Sequence, residues 1–103
     1  TQRFYNRALK IQGPAPEKCD ALIAEKIIDQ HLHSSAMLVI LPWQDWMAMD
    51  NKLCLKNPNA ERINVPSNPR NFWCYRMHLT LEKLLSEKKF NSKIKKMIAE
   101  SER

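Results

Sequence analysis

The sequence predicts an α/β fold, mostly helical, with one buried strand. Three observations predict it. Apolar residues recur at helical spacing in several separate stretches. Residues 36–41, Ala-Met-Leu-Val-Ile-Leu, form one continuous apolar run closed by Pro42. Proline-rich turns separate the periodic stretches, and Gly13 is the only glycine in the 103 residues.

The first helix is expected over about 1–11, where Phe4, Tyr5, Ala8 and Leu9 make one apolar face. Gly13, Pro14 and Pro16 end it. A second helix is expected over about 17–33. Pro16 and Glu17 suit its first turn, and Leu22, Ile23, Ile27, Ile28 and Leu32 supply a core stripe. The run 36–41 follows. An apolar run without alternation is the pattern of a strand covered on both faces, as in a parallel sheet. Nothing else in the chain offers a matching strand, and a lone one would leave its backbone groups unpaired. Two readings remain: a short buried helix, or a sheet completed by residues outside this chain. The opening Thr1-Gln-Arg-Phe-Tyr, without a methionine, favours the second and an origin further upstream.

Trp43 to Met49 reads as a short helix or turn. A long connection, about 52–71, carries the turn chemistry Asn57-Pro58-Asn59 and Pro66-Ser67-Asn68-Pro69. Phe72, Trp73 and Tyr75 then form an aromatic cluster. Thr80 and Asn91 are suited to cap the last two helices, expected at about 80–88 and 91–100.

Composition bounds the function classes. The formal charge is +6, from 17 Lys and Arg against 11 Asp and Glu. Much of the excess lies on Lys83, Lys88, Lys89, Lys93, Lys95 and Lys96, interleaved with Glu82, Glu87 and Glu100. That pattern reads as a solvated helix face, and no nucleic-acid module signature accompanies it. Cys19, Cys54 and Cys74 are odd in number and widely spaced, against both a disulfide framework and a zinc site. His31 and His33 point to different helix faces, and His78 stands alone. No metal, no cofactor and no membrane partner is expected, and reduced thiols point to the cytoplasm.

Three segments carry a resemblance: Leu38-Val-Ile-Leu-Pro-Trp-Gln-Asp-Trp-Met47, Glu61-Arg-Ile-Asn-Val-Pro66 and Phe72-Trp-Cys-Tyr-Arg76. Together they resemble the C-terminal part of 4-alpha-glucanotransferases, the amylomaltases and disproportionating enzymes. Asn68 to Leu81 is similar to the longer type, which bears N-terminal starch-binding modules. Thr1 to Asn6 resembles the segment after that family's third catalytic carboxylate.

The resemblance implies that this chain is the C-terminal part of a (β/α)8 barrel. It implies an enzyme that moves α-1,4-glucan segments between sugars by a retaining mechanism. That chemistry needs a nucleophilic carboxylate and a carboxylic acid. In the family the catalytic acids lie upstream of the matched region, so no catalytic residue is assigned here and the chain alone is expected to be inactive. Residues after the strand would sit at the active-site end of such a barrel.

Gln44 and Asp45 would then bond a sugar hydroxyl or orient a neighbour; alternatively they cap the turn or pair with Arg62 or Arg76. Trp43 would stack on a sugar ring or fill the core. Asn64 would touch substrate or brace its own loop, with Arg62, Pro66, Trp73 and Arg76 supporting that loop. Many relatives carry Asn where Phe72 stands. The expected partner is an α-1,4-glucan rather than nucleic acid, with self-association of the isolated piece. The alternative is a small basic helical module that binds nucleic acid.

Overall fold

A computed structural model describes residues 1–102. The chain opens in a wide helical turn, Phe4–Ala8, in which the Leu9 amide reaches back five residues to the Phe4 carbonyl at 3.1 Å. Helix α1 spans Ala21–Leu32, α2 spans Trp43–Met47, α3 spans Leu81–Ser86 and α4 spans Lys88–Glu100. One 3₁₀ turn, Pro58–Glu61, interrupts the long connection.

Each helix start has a local cause. The Asp20 carboxylate accepts from the Ile23 amide at 2.9 Å, which sets the first turn of α1. Pro42 sits at the N-cap of α2, and the Asp45 amide returns to its carbonyl. Thr80 caps α3 through the Lys83 amide at 3.2 Å. The Glu82 carboxyl is held below its usual range by its own backbone amide and by the Thr80 side chain. Asn57 caps the 3₁₀ turn through the Asn59 amide, with Pro58 in the first position.

The core lies where α1, α2 and α4 meet. α1 buries Ala24, Ile28 and Leu32, spaced four residues apart on one stripe. Met47, Met49 and Leu53 enter from α2 and the turn after it, and Phe90 and Met97 from α4. Leu22, expected in the stripe, is exposed instead. A Lys93–Glu25 ion pair at 2.6 Å clips α4 to α1 across the rim of this core. Gln2 and Asn6 fasten the opening turn to the next loop: their amides donate to the carbonyls of Ile11 and Gly13. Gly13 has φ +96°, a conformation that L side chains rarely adopt, so the lone glycine sits where only glycine is relaxed.

The expected strand and barrel are overturned. Residues 36–41 are irregular and unpaired, with Met37 99%, Leu38 72% and Ile40 82% exposed. No strand or sheet is present among the described residues, so this is a helical fold rather than a piece of a (β/α)8 barrel. The physical reason is the missing ladder. A strand exists only when a neighbour takes up its N–H and C=O groups, and no second extended apolar run lies beside this one. The backbone is left unpaired, and Met37, Leu38 and Ile40 stay out while Leu41 packs against the core.

The fold is loosely closed. Its radius of gyration is 15.3 Å, against about 13 Å for a compact chain of this length. Its accessible surface is 8514 Å², where the size scaling gives roughly 6,000 Å² for 12.1 kDa. The excess lies partly on the 36–41 segment and partly on the connection between the 3₁₀ turn and α3, where Phe72 and Trp73 are exposed. Among the described residues no helix is long and apolar enough to cross a membrane.

Candidate functional site

Three consecutive residues of α2 address three different hollows. The helix is short, amphipathic and capped by proline, so Trp43, Gln44 and Asp45 fan out about 100° apart. Trp43 lines a shallow groove over α4. Gln44 lines a cavity of about 240 Å³ that it shares with Cys19, Asn51, Cys54 and Glu61. Asp45 lines a smaller hollow, about 170 Å³, together with Cys19, Ile28 and His31. Of the three, the Gln44 cavity brings together an amide from α2, an amide from the turn after it, and a carboxylate from the 3₁₀ turn.

Glu61 is held in place from the far side. The Tyr75 hydroxyl donates to Glu61 Oε2 at 2.7 Å. His78 Nδ1 lies 3.3 Å from Glu61 Oε1. The other imidazole nitrogen, Nε2, is 2.8 Å from the Leu53 carbonyl; a carbonyl only accepts, so Nε2 donates there. One carboxylate thus ties the buried turn at Leu53 to the 3₁₀ turn and to the extended run before α3. Oε1 of Glu61 is buried without a full hydrogen bond, so its proximity to His78 is its main compensation.

This arrangement pushes the Tyr75 phenol up to about 12, through burial first, then its bond to Glu61 and that carboxylate's charge. A raised phenol means that the folded state holds the proton more tightly than the unfolded one. Its stabilising contribution is complete below the ordinary value near 10 and fades as pH rises from there to about 12. In a spectrophotometric titration the Tyr75 phenolate should therefore appear near pH 12. The difference between the native chain and Tyr75→Phe isolates it from Tyr5. A Tyr75 midpoint near the ordinary value for tyrosine would show that the Glu61 bond is not held in solution.

Cys19 borders both the Gln44 and the Asp45 hollows. Its ionisation is pushed up, by burial first and then by the charges of Asp20 and Asp45, so it remains a thiol rather than a nucleophilic thiolate.

The other expected site residues lie apart from this cavity. Asn64 is exposed and accepts from the Trp73 indole at 3.2 Å, which bridges the two ends of the loop. Arg62, Pro66 and Arg76 are exposed, and among the described residues neither arginine forms an ion pair with Asp45 or any other acid. Sequence reasoning missed Asn51, Tyr75 and His78 as partners of one site. Their signal was faint: three polar side chains scattered over 28 positions, brought together by a loop with no periodicity. No cluster of three or more His, Cys, Asp or Glu side chains among the described residues is placed to hold a metal ion.

A family model described as 4-alpha-glucanotransferase matches residues 1–81, which include every residue of this site. The chain belongs to the 4-alpha-glucanotransferase family. It is 34% identical over 101 residues to 4-alpha-glucanotransferase DPE2 of Oryza sativa subsp. japonica, an alignment that covers 98% of this chain and 11% of the rice protein. It is 38% identical over 68 residues to the 4-alpha-glucanotransferase of Chlamydia pneumoniae, covering 64% of this chain and 13% of that protein. The chain thus spans little more than a tenth of the 4-alpha-glucanotransferases it is similar to. No solved structure matches it.

Proposed function

We propose that this chain helps to shape a glucan site in a retaining 4-alpha-glucanotransferase that moves α-1,4-glucan segments between maltooligosaccharides or starch-type glucans. The observation that carries the reading is the convergence of Gln44, Asn51 and Glu61 on one cavity, in a chain of this family. Two amides and a fixed carboxylate supply the donors and acceptors that a sugar's hydroxyls need.

The chain does not perform the transfer by itself. A retaining transfer sets two carboxyl groups on opposite sides of one bond, about 5 Å apart. Asp45 and Glu61, the acids within the segments that carry the resemblance, line different hollows. Glu61 is also engaged by Tyr75 and His78. Its role here is to hold a wall, accepting from the Tyr75 hydroxyl, and the catalytic acids belong to other residues of the parent enzyme.

Two measurements test this. Incubated with maltotriose, the chain should release no glucose and form no longer oligosaccharide; turnover would sink the assignment of the catalytic acids elsewhere. Sedimentation should show self-association at tens of micromolar, driven by the exposed Met37, Leu38 and Ile40. A monomer at every concentration would remove that part of the reading. Steeply salt-dependent DNA binding with no glucan binding would replace the whole reading by that of a basic module.

A further inference from the structure

We propose that Trp43, Asn91 and Lys95 form a second glucan-binding groove, on the face of α4, separate from the Gln44–Glu61 cavity. The identity of the ligand rests on the glucan reading above; the existence of the groove does not. The groove measures about 340 Å³ and is lined by Trp43, Asn91, Ile94, Lys95 and Ile98. It shares no lining residue with the cavity at Glu61. Four of its five residues lie beyond position 81, where the family model ends, and only Trp43 falls within the match.

The helix lays out two parallel rows. Asn91 and Lys95 are four apart and make a polar row; Ile94 and Ile98 are four apart and make an apolar one. Trp43 stands at the edge as an aromatic wall. Its ring meets Phe90 edge-on, centroids 6.1 Å apart, which fixes its orientation before any ligand arrives. A pyranose has this same division: C–H faces that pack on aromatic and aliphatic carbon, and a rim of hydroxyls that both donate and accept.

The polar row matches that rim in both senses. Asn91 Nδ2 donates to the Leu84 carbonyl at 2.7 Å, which fixes the amide and leaves Oδ1 as an acceptor. Lys93 is paired with Glu25 and Lys96 with Glu100. Lys95 is exposed and has no ion pair among the described residues, so its ammonium is available as a donor. One ammonium beside one fixed acceptor suits a neutral polyol. A phosphate or a nucleic-acid backbone calls for several donors and is repelled by an amide oxygen. The nature of the lining therefore favours an uncharged sugar over an anion.

The test is a titration of the ¹⁵N-labelled chain with maltohexaose, followed by NMR, with inorganic phosphate as the comparison. The expected result is shifts at the Trp43 indole, the Asn91 side-chain amide and the Lys95 backbone. Lys95→Met, which keeps the aliphatic stem, should weaken that binding about tenfold, as loss of a charged donor does, and Lys95→Arg should restore most of it. Shifts confined to Gln44, Asn51 and Glu61 would overturn the groove and leave the proposed function standing. Shifts confined to the groove would support it and count against the cavity. Unchanged affinity in Lys95→Met, no shift at the groove, or equal shifts with phosphate would each overturn the inference.

Discussion

Met47→Ala should destabilise the fold by about 3 kcal/mol, within the roughly 2–5 kcal/mol range of large-to-small core changes. Met47 is 1% exposed and is the most deeply buried large side chain among the described residues. It projects from the one turn of α2 into the space between Ala24, Ile28 and Leu32 of α1 and Phe90 and Met97 of α4. α2 has only five residues, too short to hold a helical form without packing. The truncation therefore removes both an apolar side chain and the anchor that keeps α2 in register. Small domains have only about 5–15 kcal/mol in total, and this one carries excess exposed surface. The urea midpoint should fall steeply, and the Asp45 and Ala48 amides, bonded to Pro42 and Gln44, should lose hydrogen-exchange protection ahead of α1. Leu9→Ala provides the contrast. Leu9 is just as buried but lies outside the main cluster, so its loss should loosen the opening turn and leave α2 protected. Equal loss of protection at α2 in both variants would mean that Met47 does not anchor it.

The particular residues explain what was legible in the sequence. The core stripe of α1 was visible because Ile28 and Leu32 recur at helical spacing and tertiary packing agrees with the pattern. The caps at Thr80 and Asp20 act through local bonds, within three residues, so Thr80 could be read locally. Residues 36–41 were misread because an apolar run reports burial, not its means. Strand formation depends on a ladder partner distant in sequence, and periodicity says nothing about whether one is present. Asn91, expected to cap the last helix, lies inside α4 and bonds back to the Leu84 carbonyl of α3, across the break between them. The site was half legible. Gln44 stood out beside the resemblance, but its cavity is completed by Asn51 and Glu61 through a fold in an aperiodic loop.

Glu61→Ala should have the second large effect, and one that can be separated from simple loss of packing. The carboxylate accepts from Tyr75 and faces His78, and His78 in turn bonds Leu53, whose side chain is in the core. Removing it leaves a partly buried phenol without an acceptor, a cost of about 1–3 kcal/mol. The Tyr75 ionisation should fall from about 12 towards the usual value. It should not return fully, because burial is the largest of the three causes and the carboxylate supplies the other two. Glu61→Gln separates those two. It keeps an oxygen that accepts from Tyr75 but removes the charge, so its titration midpoint should lie between those of Glu61→Ala and the native chain. The order Ala, then Gln, then native is what a real Tyr75–Glu61 bond requires. A midpoint in Glu61→Gln equal to that in Glu61→Ala would show that charge, not the hydrogen bond, sets the phenol. In both variants the Ala60 and Arg62 amides, bonded within the 3₁₀ turn, should exchange faster, since one side chain holds this turn against Leu53. Because Glu61 also lines the cavity with Gln44 and Asn51, maltohexaose shifts at those two amides should weaken in both variants, while shifts at Asn91 and Lys95 persist.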